Sequence, residues 1–165
     1  MPPPTLPSGL MPVAVPTWAK RTAVAAAVAG VAFVVLVVVL QCLRGDLPWM
    51  QAQLSLYLRG PYGLLLRTAY CLLALVIAAL AGAVQASLAP GYRSGATLAL
   101  FWGASLGLAT VAIGDSWLPD QTPLLAPLVH LLAAQAAFIC VVAAILLQSW
   151  RFRGEPRWHR LHRPA

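Results

Sequence analysis

Charge is what this sequence has least of. Only 9% of its 165 residues are charged, and the acidic ones are four: Asp46, Asp115, Asp120 and Glu155. An ordinary soluble domain carries about a quarter charged residues. With 61% of residues hydrophobic, water is the wrong solvent for most of the chain. Cysteine is also scarce. Cys42, Cys71 and Cys140 are odd in number and share no CxxC or Cys/His spacing, which speaks against a disulfide framework, a zinc site and a disulfide-handling enzyme. Cys42 and Cys71 are the one pair placed toward the same face. His130 is the single histidine inside an apolar run, whereas a bis-haem cytochrome needs pairs at membrane depth. Neither Asp nor Glu lies in the middle of an apolar run, as a small multidrug exporter would want. No metal or other cofactor is expected.

Four apolar runs fill the space that charge leaves. They span about 22–43, 63–87, 96–114 and 124–149, and a bilayer core needs about 20 apolar residues per helix. Pro61, Pro90, Gly91, Pro119, Pro123 and Pro127 fall near their ends, where proline can start or stop a helix without breaking its interior ladder. The fold class is therefore all-α: a polytopic membrane protein built as a four-helix transmembrane bundle. The first run has a longer core than a signal peptide and no small-x-small site after it, so it stays as a helix. Residues 1–19 hold six prolines and read as a disordered cytoplasmic tail. Residues 151–165 form a basic tail in which His159 and His162 suit headgroup binding better than metal ligation. Between the first two runs, Leu47, Met50, Leu54, Tyr57 and Leu58 recur at three- and four-residue spacing. They predict either a short interfacial helix on the membrane surface or a structured loop.

The basic residues set the orientation. Lys20, Arg21, Arg93, Arg151, Arg153, Arg157, Arg160 and Arg163 fall on one side, against Arg44, Arg59 and Arg67 on the other. The positive-inside rule then puts both termini in the cytoplasm. The formal charge of +7 reads as topology and contact with membrane lipids, not as a nucleic-acid surface, because the cations flank apolar runs. Arginine far outnumbers lysine and alanine is abundant, a coding bias that points to a high-GC bacterium and hence its inner membrane.

Helices in lipid associate through small residues and buried polar contacts. Ala26 and Gly30, Ala78 and Gly82, Gly103 and Gly107, and Ala133, Ala137 and Ala144 mark the expected contact faces. Gly103 and Gly107 also form a GxxxG, the candidate contact for a homodimer. Ionisable groups at membrane depth need a reason, since each opposes insertion by roughly 2.5 to 3.5 kcal/mol at the helix centre. Arg67 lies about 6 Å inside the second run and His130 about 9 Å inside the fourth, while Asp115 closes the third, with Asp120 behind it. Arg67, Asp115, His130 and Asp120 thus form the candidate outward-facing polar site. Asp115 would orient or charge His130, and Arg67 would bind an anion. The bland alternative has Arg67 snorkelling to headgroups, Asp115 solvated and His130 bonded to a carbonyl.

Leu54-Ser55, Gly60-Pro61-Tyr62-Gly63, the helix opening from Leu64 to Tyr70, the acidic close of the third run and His130 in the fourth together resemble a known pattern. From about Asp46 to Arg153 the chain is similar to the domain of unknown function 998, a family of multispanning prokaryotic membrane proteins. The resemblance maps the family's acidic residue onto Asp115 or Asp120 and its histidine onto His130. It departs from the family where Ala112-Ile113-Gly114 replaces a phenylalanine-proline, and where many members have about six spans. The family has no assigned activity, so the resemblance implies a fold and no mechanism. Three classes of function stay open: a non-enzymatic lipid-associated or accessory component, favoured because polar membrane residues are few; a small proton-linked transporter subunit; and a membrane enzyme acting on an amphiphile through His130 and Asp115.

Overall fold

The computed structural model describes residues 14–154. Most of the proline-rich tail, and the basic tail from Glu155 onward with His159 and His162, lie outside them. Four long helices, α1 (Thr17–Leu43), α2 (Gly63–Ser87), α3 (Gly95–Gln121) and α4 (Ala126–Gly154), account for most of the described chain, which contains no strand. Each is long and apolar enough to cross a membrane. The residues left facing outward are hydrocarbon: Val24, Val35, Leu75, Leu106 and Leu146 are all more than half exposed. A helix that is apolar all round belongs in lipid or in a large core, and a chain of this size has no core to hide four of them. The protein is a multi-pass membrane protein.

The helices run alternately up and down, so the α1 start and the α4 end share one end of the bundle, called here the terminal end. The long connection between α1 and α2 and the α3–α4 turn lie at the other, the loop end. Each helix packs on its neighbour in sequence, with the α3–α4 seam the most extensive. The reason is steric. A Cβ on Gly107 would meet the Ala133 carbonyl oxygen at 2.8 Å and the Ala137 nitrogen at 2.9 Å, and one on Gly103 would meet the Cys140 sulfur at 3.2 Å. The close approach that this glycine pair permits is made with α4 of the same chain. Gly30 and Gly82, by contrast, face open space. Between α2 and α3 the Ser105 hydroxyl donates to the Ala74 carbonyl at 2.6 Å. The three thiols are free.

Helix ends differ from the apolar runs in instructive ways. α1 already begins at Thr17, carrying Lys20 and Arg21 in its first turns, and α4 continues through Arg151 and Arg153 to Gly154. α3 does not stop at Gly114: it runs to Gln121 with Pro119 inside its last turns. The Thr122 nitrogen closes it by donating to Leu118. Hydropathy ends where the first acid appears, but backbone hydrogen bonding does not. Trp18 and Trp150 sit at the terminal end, and Trp49 and Trp117 at the loop end, all more than half exposed. These are the places where amphipathic rings meet headgroups.

The α1–α2 connection holds a structured loop and not an α-helix on the surface. Only Leu54–Leu58 is helical, as one 3₁₀ segment, with a single turn at Pro48–Ala52 before it. The apolar spacing serves a different purpose: Tyr57 and Leu58 are buried and join Leu40, Leu66 and Val111 in the core cluster, while Met50 is 80% exposed. The loop is a plug in the end of the bundle. Phe33 and Tyr70 pack edge to face beneath it, ring centres 5.4 Å apart.

Candidate functional site

The loop is held by one residue. Arg44, just past the end of α1, is buried. Its Nε and Nη2 donate to the two carboxylate oxygens of Asp46 at 2.7 and 2.8 Å, and its Nη1 donates to the Arg59 carbonyl at 2.7 Å. The Tyr57 ring lies 5.8 Å from the same guanidinium. A planar fork with several donors can gather a carboxylate and a carbonyl together, and here it ties the start of the loop to its finish. Gly60 allows the approach: its φ is +76°, and a Cβ there would sit 3.3 Å from Arg44 Nη1. Gly63 is equally constrained, since a Cβ would run into the Leu58 carbonyl. The Gly60-Pro61-Tyr62-Gly63 element thus shapes the turn that feeds α2, with Tyr62 also left-handed at φ 66°. The Arg44 hydrogen bond holds the Asp46 carboxyl below the ordinary carboxylate range, and the same bond raises Arg44 further.

The clamp delivers Arg59 to the site. Asp115 lies six residues before the end of α3, about 9 Å into the helix, and its side chain is only 7% exposed. The His130 Nδ1, in the second turn of α4, is 3.2 Å from the Asp115 Oδ1. That nitrogen is buried and lacks the alignment of a hydrogen bond, so the two groups meet as a close polar contact. On the same oxygen, the Arg59 Nη2 approaches to 3.5 Å from the solvent side, its side chain 60% exposed. One carboxylate therefore sits between a guanidinium from the loop and an imidazole from α4.

Arg67 is not part of that contact. It is the fifth residue of α2, on the same stripe as the buried Ala74 and Ala81 at i+7 and i+14. Its Nε is buried with no hydrogen-bond partner, and it makes no ion pair among the described residues. Asp120 is exposed near the end of α3 and, among the described residues, also makes no ion pair. The structure thus joins Asp115 to His130, leaves Arg67 and Asp120 apart from them, and adds Arg59 and Arg44. Both arginines are visible in the sequence only as charges flanking apolar runs. The nearest available signal was their position at the two ends of one loop, next to Asp46 and to a Gly-Pro. Asp115 is a carboxylate inside a spanning helix, near its end, so the argument against a carboxylate-driven exporter loses that ground.

From His130 and Gln53 a trough of about 760 Å³ runs down α4 past Leu131, Phe138 and Val142 to Leu146. Its polar lining is Gln53, His130 and Gln135, and from Phe138 onward it is hydrocarbon. Among the described residues no group of three His, Cys, Asp or Glu could hold a metal ion.

Neither a curated protein nor a solved structure matches the chain. The profile of the family described as Protein of unknown function (DUF998) matches residues 27–164, nearly the whole chain. A match of that extent shows that this chain belongs to the DUF998 family of proteins of unknown function.

Proposed function

We propose that the protein is a non-enzymatic, lipid-associated component of a bacterial inner membrane, with both termini cytoplasmic, that seats an amphiphile with an anionic head in its outward-facing trough. The observation that carries this reading is Arg67, whose buried Nε has no partner. A guanidinium at membrane depth is stable only if something anionic meets it or if it reaches headgroups, and Arg67, outside the trough lining but partly exposed, is open to an anionic head. The trough runs from His130 to Leu146 of α4, 17 residues and about 24 Å, a length suited to one acyl chain. Orientation rests on the excess of Lys and Arg at the terminal end.

Native mass spectrometry from gentle detergent tests the proposal. The wild type should retain anionic amphiphiles in preference to zwitterionic ones, and Arg67→Gln should retain one fewer per chain at unchanged protein yield. Equal retention by both proteins contradicts it.

A second reading has one observation behind it. The Asp115–His130 contact inside the span is the kind of pair through which a proton-linked transporter subunit works. Flux in proteoliposomes that depends on pH and vanishes in His130→Ala would favour that reading over the first.

A further inference from the structure

The terminal end carries a second set of polar groups, independent of the site above. Thr97 is fully buried and its hydroxyl has no hydrogen-bond partner. Gln148 is 5% exposed, and neither its amide nitrogen nor its amide oxygen is bonded. Arg151, one turn further along α4, has a buried Nε that is also unpartnered. Buried polar groups in a folded chain nearly always find a partner, so three orphans within one region call for one.

Helix geometry puts them together. Thr97 begins a heptad stripe on α3 that continues through the buried Ala104 and Val111, the stripe turned to the bundle axis. Gln148 lies on the α4 face that includes Ala137 and the buried Ala144. The contacts of Gly103 with Cys140 and of Gly107 with Ala137 fix the antiparallel register, and that register sets Thr97 level with Gln148. Phe152, one turn beyond Gln148, walls a cavity of about 160 Å³ with Ala19 and Ala23 of α1, Leu80 of α2 and Leu88 just past its end.

The chemistry of the donors identifies the ligand class. A guanidinium can only donate, whereas a carboxamide and a hydroxyl can donate to carbonyl oxygens and to each other. Arg151 lies nearest the helix end, where headgroup phosphates sit, and Gln148 deeper, at the level of the ester groups. A cationic headgroup is disfavoured: Arg93 and Arg153 are exposed at this end, and the described carboxylates Asp46, Asp115 and Asp120 all lie at the other.

We propose that the terminal end binds one anionic glycerophospholipid of the adjoining leaflet, its phosphate on Arg151, its ester carbonyls on the Gln148 amide and the Thr97 hydroxyl, and part of an acyl chain in the cavity beside Phe152.

The test is retention of defined lipids by the purified full chain, read by native mass spectrometry. Phosphatidylglycerol with ester linkages should be retained on the order of five-fold over phosphatidylethanolamine, the share of one near-surface arginine, and also over ether-linked phosphatidylglycerol. Arg151→Gln should remove the charge preference. Gln148→Leu, which fills the same space with an apolar group, should remove the ester preference and keep the charge preference. Arg67→Gln, at the opposite end, should lose a separate anionic amphiphile and leave the ester-dependent lipid with both its preferences. Equal retention of all three lipids by the wild type overturns the proposal, as does a Gln148→Leu chain that still prefers esters. Displacement of the lipid by inorganic phosphate would mean a bare-anion site and overturns it too. Loss of both preferences in Arg67→Gln would assign the lipid to the loop end instead.

Discussion

The two ends of the bundle solve the same problem in opposite ways. Both must finish helices that are apolar along their length and neutralise polar groups close to lipid. At the loop end, Arg44 collects Asp46 and the Arg59 carbonyl, the 3₁₀ segment drives Tyr57 and Leu58 inward, and Asp115 receives two neighbours. At the terminal end the α2–α3 connection is short and local: the Ser94 hydroxyl accepts from the Thr97 nitrogen, and the Gln85 side chain accepts from the Ser94 nitrogen. Among the described residues no loop lies over the axis there, and Thr97 and Gln148 remain unsatisfied. The loop end is closed by the α1–α2 connection, whereas the orphan groups of the terminal end are the ones we propose to meet lipid. Stability should therefore be concentrated at the loop end and along the α3–α4 seam.

The largest effect should come from the seam, because both ends depend on it. Gly107→Val would force a side chain against the Ala133 carbonyl and the Ala137 nitrogen, and backbone cannot move aside as a flexible side chain can. A loss of about 3 kcal/mol or more is expected, read as a lowered unfolding midpoint in detergent, with Gly82→Ala as the neutral control because that position faces open space.

Next in size is the clamp. Arg44→Met would leave Asp46 and the Arg59 carbonyl without their donor and release the plug, so the segment between residues 44 and 62 should become open to limited proteolysis while cleavage near Ser87–Gly95 stays as it was. The clamp should also respond to acid. Asp46 titrates below its ordinary 3.8 in the folded chain, so its contribution is complete above about pH 4 and is lost as the pH falls through the lowered value. Loop protection that fades below pH 4 in the wild type, and is already weak and flat with pH in Asp46→Asn, is the expected pattern.

Smaller still is the Arg59–Asp115 contact, long at 3.5 Å with Arg59 mostly exposed. Arg59→Gln should shift stability by less than about 1 kcal/mol. Asp115→Asn, which also strips His130 of its neighbour, should have the greater effect, about 1–3 kcal/mol by thermal unfolding. Equality of the two would mean that His130 gains nothing from Asp115.

Much of the fold was legible because the membrane makes sequence pattern nearly sufficient: a run of about 20 apolar residues has few other fates. The contact faces at Gly103, Gly107, Ala133, Ala137 and Ala144 were equally readable, as small residues mark close approach. Gly30 and Gly82 look identical in sequence yet touch nothing, since a small residue permits a contact without supplying the partner. The extent of α3 was missed because Asp115 ends the apolar run while the backbone bonding goes on, and Pro119 fits near a helix end. The plug was half legible. Leu54, Tyr57 and Leu58 carry the right spacing, but the long-range donor that bends them inward, Arg44, is fixed only once α1 and α2 lie side by side. For the same reason Arg59 read as a topological charge and not as a neighbour of Asp115.

A photoreactive anionic amphiphile, crosslinked to the full chain in bilayers and mapped by mass spectrometry, tests the functional account most directly. The account predicts labels concentrated on the α4 trough between Leu131 and Leu146 and lost in Arg67→Gln. Labels spread evenly over the exposed apolar positions of all four helices, such as Val24, Val35, Leu75 and Leu106, would contradict it.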